Sequence, residues 1–577
     1  MADLLIRGGL VVDGTGAPGR VADVAVTDGR ITAVGNSNGK GASAATVVDA
    51  TGLVVAPGFV DIHTHYDAQL FWDPSASPSP LHGVTTVFGG NCGFTLAPAG
   101  EKHAGYLMRM MARVEGMPLE ALEAGLAWDW DNYADWFGRL DGRIGVNAGF
   151  LVGHSSVRRA VMGEACHEPA NTEQIAAMGA LVREACAAGA LGVSTSRAPT
   201  HNDGDGEPVP SRGASDEELL ALARAAGEVD GTTVELILAG CLNGFTDEEV
   251  ELMAAVSLAA NRPVNWNVLG VSAANPTGHE GQLRASDAAA ERGARVVALT
   301  LPHSTKIRLS FLSGFVLDGL PGWRPVMALP PAERMKALAD PDTRRRLAEG
   351  ASSKEAGILR GLANWGRLQL AETFASQNAE FEGKRVADVV DARGGDPFDV
   401  LLDIVLADEL RTGLSPGGLE ATPDDWKLRA EVWRDPRTVV GGSDAGAHLD
   451  MMCGAIYSTA LLAHGVREEQ VITLEEAVHQ LTDVPARLYG LRDRGRIAEG
   501  WAADLVVFDP GRVGYGRERT RADLPAGASR LYADADGIEA VFVNGTRIVD
   551  SGSFTGATPG TLLHSGRDTE TVAVAGH

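Results

Sequence analysis

The sequence predicts an α/β protein: a (β/α)8 barrel carrying a small β-sandwich built from both termini, with a long insertion after the seventh barrel strand. Three observations predict it. Eight apolar strand candidates alternate with Ala-, Leu- and Glu-rich helical stretches, as expected of βα units on a parallel sheet. Residues 1–55 and 490–577 instead read as short strands broken by turns. The spacing from Pro302 to Thr438 far exceeds a βα loop, so it must hold extra structure.

The amino-terminal runs "LLIRGGLVVDG", "VADVAVTDGRITAVG" and "TVVDATGLVVAPG" lack helical periodicity, and the same texture returns in "GRIAEGWAADLVVFDP" and "GIEAVFVNGTRIVDSG". Either segment alone would leave an apolar face and open edges, so the two are expected to join in one sandwich. Residues 56–489 supply the barrel through "FVDIHTH", "VTTVFGGNCG", "IGVNAGFLVGH", "ALGVSTS", "TTVELILAG", "PVNWNVLG", "RVVALTLP" and "TVVGGSDAG". Within about 303–437 lie the helical runs "PPAERMKALADPDTRRRLAEG" and "PFDVLLDIVLADEL" and Trp323, Trp365, Trp426 and Trp433, read as a lid over the mouth or an interface element.

Composition bounds the function. No apolar run approaches the ~20 residues a membrane span requires, and the amino terminus has no pattern of a secretory signal. Five widely spread cysteines form no disulfide framework, which together with the missing signal leads us to expect a cytoplasmic protein. A formal net charge of −26 disfavours nucleic acid and anionic membrane as partners.

The strand ends carry the chemistry. His63 and His65 share one face because strand side chains alternate, and Asp61 points the same way. The second strand ends on Cys92 in "GGNCGF", the third on His154 and the fourth on Arg197, followed by His201. The fifth offers Glu235, the sixth Asn265 and Asn267, the seventh His303 with Lys306 and Arg308, and the eighth Asp444 in "GGSDAGAH". Imidazole, thiolate and carboxylate are zinc ligands. An isolated HxH is equally at home in a solvated turn, and a lone cysteine in a core. The combination of HxH on the first strand with SDAG on the last is what points to a metal.

Here the chain resembles the amidohydrolase superfamily, in particular the D-aminoacylase or N-acyl-D-amino-acid deacylase (type 3) group. The resemblance rests on "PGFVDIHTHYDA", "GVTTVFGGNCGFTLAPA", "GALGVSTSR", "VVGGSDAGAH", "LTDVPARLYGLRDRGRIAEGWAADLVVFDP" and "VNGTRIVDSG". It implies the same barrel, sandwich and insertion, a bound zinc with ligand roles on His63, His65 and Cys92, and a catalytic aspartate at Asp444. Two departures matter. The carboxylated lysine that bridges two metals in many relatives has no counterpart, because no lysine lies between Lys102 and Lys306. D-aminoacylases also use histidines from the fifth and sixth strands, where this chain reads "TVELILAG" and "VNWNVLG". Glu235 stands near the first missing ligand, either as its substitute or in an ordinary strand-end salt bridge.

The expectation is a zinc-dependent hydrolase of a small N-acyl substrate, most naturally an N-acyl-D-amino acid, with Asp444 as general acid and base. The donors His63, His65, Cys92 and Asp444, with Glu235 as a fifth, suit one zinc and leave room for a weaker second. Arg197, His154, His201 and Lys306 are the substrate-binding candidates, Arg197 being best placed for a carboxylate. A hydantoinase-like cyclic-amide hydrolase and a metal-free scaffold are the rival readings. A homo-oligomer is compatible with the sequence.

Overall fold

The computed structural model of the chain describes residues 2–35, 44–304, 306–314, 316–416 and 421–574. Five strands open it: β1 (Ala2–Val11), β2 (Arg20–Thr27), β3 (Arg30–Gly35), β4 (Ala44–Asp49) and β5 (Val54–Pro57). They form one nine-stranded sheet with Leu505–Phe508, Ile538–Val543, Thr546–Asp550 and Ser553–Phe554. The seam between the two ends is antiparallel, with Leu505 opposite Pro57 and Phe508 opposite Val54. Alternation in these strands turns Leu4, Ile6, Val24 and Val26 inward against Leu505, Val507 and Phe542, giving the sheet its own core.

A parallel set follows. Strands β6 (Phe59–Asp61), β7 (Val84–Gly89) and β8 (Asn147–Phe150) form one sheet. The strands β9 (Val152–Gly153), β10 (Gly192–Ser196), β11 (Thr233–Ile237), β12 (Val264–Leu269), β13 (Val296–Thr300) and Thr438–Val440 form another. These match the eight strands expected, the third being divided into β8 and β9 by Leu151 alone. The two sheets also meet at a parallel bridge between Thr64 and Ala445. Nearly every residue in these strands is buried, the polar Thr85, Ser194, Glu235 and Asn265 included, which is why they show no apolar–polar alternation keyed to solvent. The intervening helices begin where the sequence supplies capping groups. Asn171 with Gln174 and Thr246 with Glu249 form reciprocal boxes, and the Ser215 side chain accepts from the Glu218 N–H.

The inserted region has a separate core in which Trp323 stacks on Trp365 at 5.5 Å and Trp365 on Phe398 at 4.8 Å. Trp426 and Trp433 pack instead into the main core, so only two of the four tryptophans belong to the insert. The long run expected near its start is two helices, Pro331–Ala339 and Pro341–Ser352, because Pro341 cannot continue the first. No helix among the described residues is long and apolar enough to cross a membrane.

One buried histidine makes a pH prediction. His82 is fully enclosed, its Nε2–H donating to the Ala533 carbonyl at 3.1 Å and its Nδ1 lying 2.8 Å from Thr459 Oγ1. Burial holds its pKa down at about 4 against an ordinary 6.5. The unfolded chain therefore takes up the proton first, so stability is full above pH 6.5 and falls as pH drops toward 4, by roughly 3 kcal/mol in all. Thermal unfolding between pH 4 and 8 checks this: His82→Gln should show a shallower fall than wild type, and equal slopes would refute it.

Candidate metal centre

The chain beyond β6 is pinned on both sides. Thr64 N–H donates to the Phe88 carbonyl at 2.9 Å, His65 N–H to Ala445 at 2.7 Å, and Asp444 N–H to His63 at 3.1 Å. With Thr64 committed to one neighbour and the flanking residues to the other, both imidazoles project to one face. Asp444 adopts a left-handed φ of 55°, and two residues later Gly446 passes so close that a Cβ there would lie 2.6 Å from the His65 carbonyl. Only glycine allows that approach. Cys92 also has a φ of 55°, held between left-handed glycines at 90 and 93; a Cβ on Gly90 would collide with the Leu151 carbonyl. Both are non-glycine residues held in the left-handed region, and both side chains reach His63 Nε2.

Their side chains converge. Donor atoms of His63, His65 and Cys92 all lie within 4.8 Å of one another. Asp444 Oδ1 is 3.3 Å from Nε2 of both histidines, and Cys92 Sγ is 3.6 Å from His63 Nε2. Glu235 on β11 accepts the Cys92 N–H through Oε2 at 2.8 Å, while its buried Oε1 meets no partner. Asn267 Nδ2 lies 3.3 Å from Cys92 Sγ. The structure thus brings the side chains of His63, His65, Cys92 and Asp444 together, with Glu235 against the Cys92 backbone.

The electrostatics of this pocket call for a cation. Burial pushes Asp444 up, but hydrogen bonds and charge from His63 and His65 outweigh it and hold the carboxyl well below its usual range. Burial pushes Glu235 up to about 7 and drives the Cys92 thiol well above its ordinary value. Nδ1 of His63 and of His65 is buried without a partner. A soft sulfur, two imidazoles and carboxylate oxygens facing one another fit a zinc ion, which would restore the thiolate that burial and the neighbouring carboxylates oppose.

The substrate-binding candidates fare unevenly. His154 is spent structurally: Nε2 lies 2.7 Å from Glu218 and Nδ1 2.9 Å from Thr195, leaving no ring atom for a substrate. Arg197 is partly engaged, at 2.6 Å to Asp216 and 2.7 Å to the Ala214 carbonyl, while its buried Nε has no partner among the described residues. His201 does stand beside the centre: its Nδ1 is 2.7 Å from Ser196 Oγ, and burial, with His448 and His65 nearby, pushes its pKa down to about 3. Lys306 sits above the Tyr515 ring at 5.6 Å, in a cavity of about 590 Å³ shared with His303 and Trp426. A second cavity, of about 530 Å³, reaches Gly116 and His448 and is walled by Met117, Leu119, Leu312, Phe374, Arg411 and Leu531.

Two acidic groups escaped the sequence reading. Asp67 accepts the Gly90 N–H at 3.0 Å and so helps to seat the Cys92 loop; its place two residues beyond HxH was the available signal. Glu115, at the end of helix α1 (Ala104–Val114), has its Oε2 3.6 Å from His65 Nε2. It lies in no motif and at no strand end.

The arrangement is that of a parallel α/β protein with metal-donor groups gathered where its strands end. A family signature described as the Amidohydrolase family matches residues 46–549, and the chain belongs to that family. It is 30% identical to the D-aminoacylase of Alcaligenes xylosoxydans xylosoxydans over 97% of each chain. It is also 30% identical to the N-acyl-D-aspartate deacylase of the same organism, over 98% of this chain and 95% of that protein. Among solved structures, the N-acyl-D-glutamate deacylase from Bordetella bronchiseptica, complexed with zinc and a phosphonate mimic of the tetrahedral intermediate, superposes with a TM-score of 0.63. It is 26% identical and covers 98% of this chain and 99% of its own.

Proposed function

We propose that the protein is a zinc-dependent amidohydrolase that cleaves the amide of a small N-acyl substrate, most naturally an N-acyl-D-amino acid. The carrying observation is the convergence of His63 and His65 Nε2, Cys92 Sγ and Asp444 Oδ1. His63, His65, Cys92 and Asp444, with Glu235 in support, would hold the metal. A zinc ion bound there would polarise the acyl carbonyl and acidify the attacking water. Asp444, kept ionised by the two histidines, accepts the water's proton at Oδ1 and returns it to the departing nitrogen. His63, His65, Cys92 and Glu235 are buried, which strengthens their interactions with a bound cation, while Asp444 keeps 32% of its side chain exposed.

The cavity beyond His448 is the substrate space this reading uses. Its walls mix apolar side chains with Arg113, Arg308, Arg411 and Arg530, and Leu312, Phe374 and Arg411 come from the inserted region, which supports reading that region as a lid. The same reading takes residues 56–489 as a closed eight-stranded barrel and residues 1–55 with 490–577 as a sandwich. The Thr64–Ala445 bridge and the single-residue step between β8 and β9 support closure, and the seam from β5 to Leu505–Phe508 supports the joining of the ends.

A substrate panel tests the activity. N-acyl-D-amino acids should be hydrolysed with kcat/KM at least about tenfold above their L forms and above hydantoins, tenfold being about 1.4 kcal/mol of transition-state discrimination. Turnover confined to hydantoins would move the assignment to cyclic amides. A purified protein that holds no zinc and takes none up would favour a scaffold.

A further inference from the structure

The Glu115 carboxylate stands in a place where a negative charge is hard to keep. It is 3% exposed and ends an eleven-residue helix, where the helix dipole presents its negative pole. No lysine or arginine reaches it within ion-pair distance among the described residues; the basic side chain beside it is His65, Nε2 to Oε2 at 3.6 Å. The same ring nitrogen faces Asp444 Oδ1 at 3.3 Å, so two carboxylate oxygens gather on one imidazole edge. Two carboxyl groups turned to one ring nitrogen are best accommodated with a cation between their oxygens.

The backbone fixes Glu115 there. Its N–H closes the helix on the Met111 carbonyl at 2.9 Å, and its own carbonyl accepts the N–H of His448, four residues beyond Asp444. At Gly116, φ 59°, an added Cβ would lie 3.2 Å from His448 Cα. The helix end and the Asp444 loop are therefore locked together, and the carboxylate is presented to His65 rather than to solvent.

Resting on the zinc reading above, we propose that Glu115 is itself a ligand of the metal centre, giving a carboxylate oxygen on the His65 and Asp444 side from a helix end instead of a strand end. With it the chain offers six donors: His63, His65, Cys92, Asp444, Glu235 and Glu115. That number serves two cations, one beside Cys92 and Glu235, the other beside His65, Asp444 and Glu115.

Zinc binding is measured by competition with a chromophoric chelator, with metal per chain by mass spectrometry, on wild type and on Glu115→Gln. Wild type should take two equivalents, and the variant should hold one of them at least tenfold more weakly. Unfolding temperatures separate a ligand from a packing residue. The metal-free variant should melt no lower than metal-free wild type, since the amide keeps the shape of the carboxyl group it replaces, while the rise produced by zinc should shrink. Wild-type zinc affinity in Glu115→Gln, or an equal loss of stability with and without zinc, overturns the proposal. Wild type that binds no zinc overturns the functional reading as well, which tells the two failures apart. If Glu115→Gln does not fold, Glu115→Asp keeps the charge one methylene short; it should weaken the same equivalent, and unaltered affinity overturns the assignment.

Discussion

Asp444→Asn is expected to lower kcat by about 10³-fold, within the range that a positioned general acid–base contributes. The change preserves shape and keeps an oxygen near the two histidine Nε2 atoms at 3.3 Å, but an amide cannot accept the proton that hydrolysis must move. Circular dichroism should be unchanged. KM should move by only a few fold, because the lost interaction belongs to the transition state. A variant that retains more than about a tenth of wild-type kcat, against the roughly 10²-fold minimum for such a group, would remove Asp444 from the proton-transfer role.

The second large effect concerns the metal itself. His63 Nε2 is the meeting point of the cluster, 3.6 Å from Cys92 Sγ and 3.3 Å from Asp444 Oδ1. His63→Ala removes a neutral nitrogen donor from between a sulfur and a carboxylate, and zinc affinity should fall by more than about 100-fold, beyond the loss typical of outer-shell partners. Asp444→Ala should behave alike. Glu235→Ala should only weaken binding, because Glu235 Oε2 already accepts the Cys92 N–H and one oxygen remains for metal. Zinc per chain after dialysis against a mild chelator is the measurement. Full retention by His63→Ala would show that the pair of histidines is not what holds the ion.

The framework was legible because it is written locally. Parallel strands buried on both faces appear as short runs without apolar–polar alternation, and capping residues mark the helices between them. HxH, the Cys92 loop and "SDAG" were legible for a related reason: their backbone demands, left-handed turns and close glycines, leave a local trace. Partnerships between distant residues leave none. Nothing near Arg197 announces that Asp216 will take its guanidinium, nor that Glu218 will take the His154 ring. Each looked available at a strand end because the sequence records the donor and not who claims it. Glu115 is the converse case. It becomes part of the cluster only because a helix end is tied to the Asp444 loop through the carbonyl that receives the His448 N–H.

The seam between β5 and Leu505–Phe508 also governs how the molecule comes into being. A ribosome delivers Val54–Pro57 some 450 residues before the strand that completes its edge, an interval set by the register that puts Phe508 opposite Val54. At translation rates of roughly 5–20 residues per second, that interval lasts on the order of half a minute to a minute and a half. Through that time the nascent amino-terminal strands carry an apolar face and an unsatisfied row of amide and carbonyl groups, a template for any other extended chain in reach. Assembly therefore ends where it began: the last strands to emerge close over the first, and a polypeptide cut short before residue 505 carries that sticky edge for its whole life.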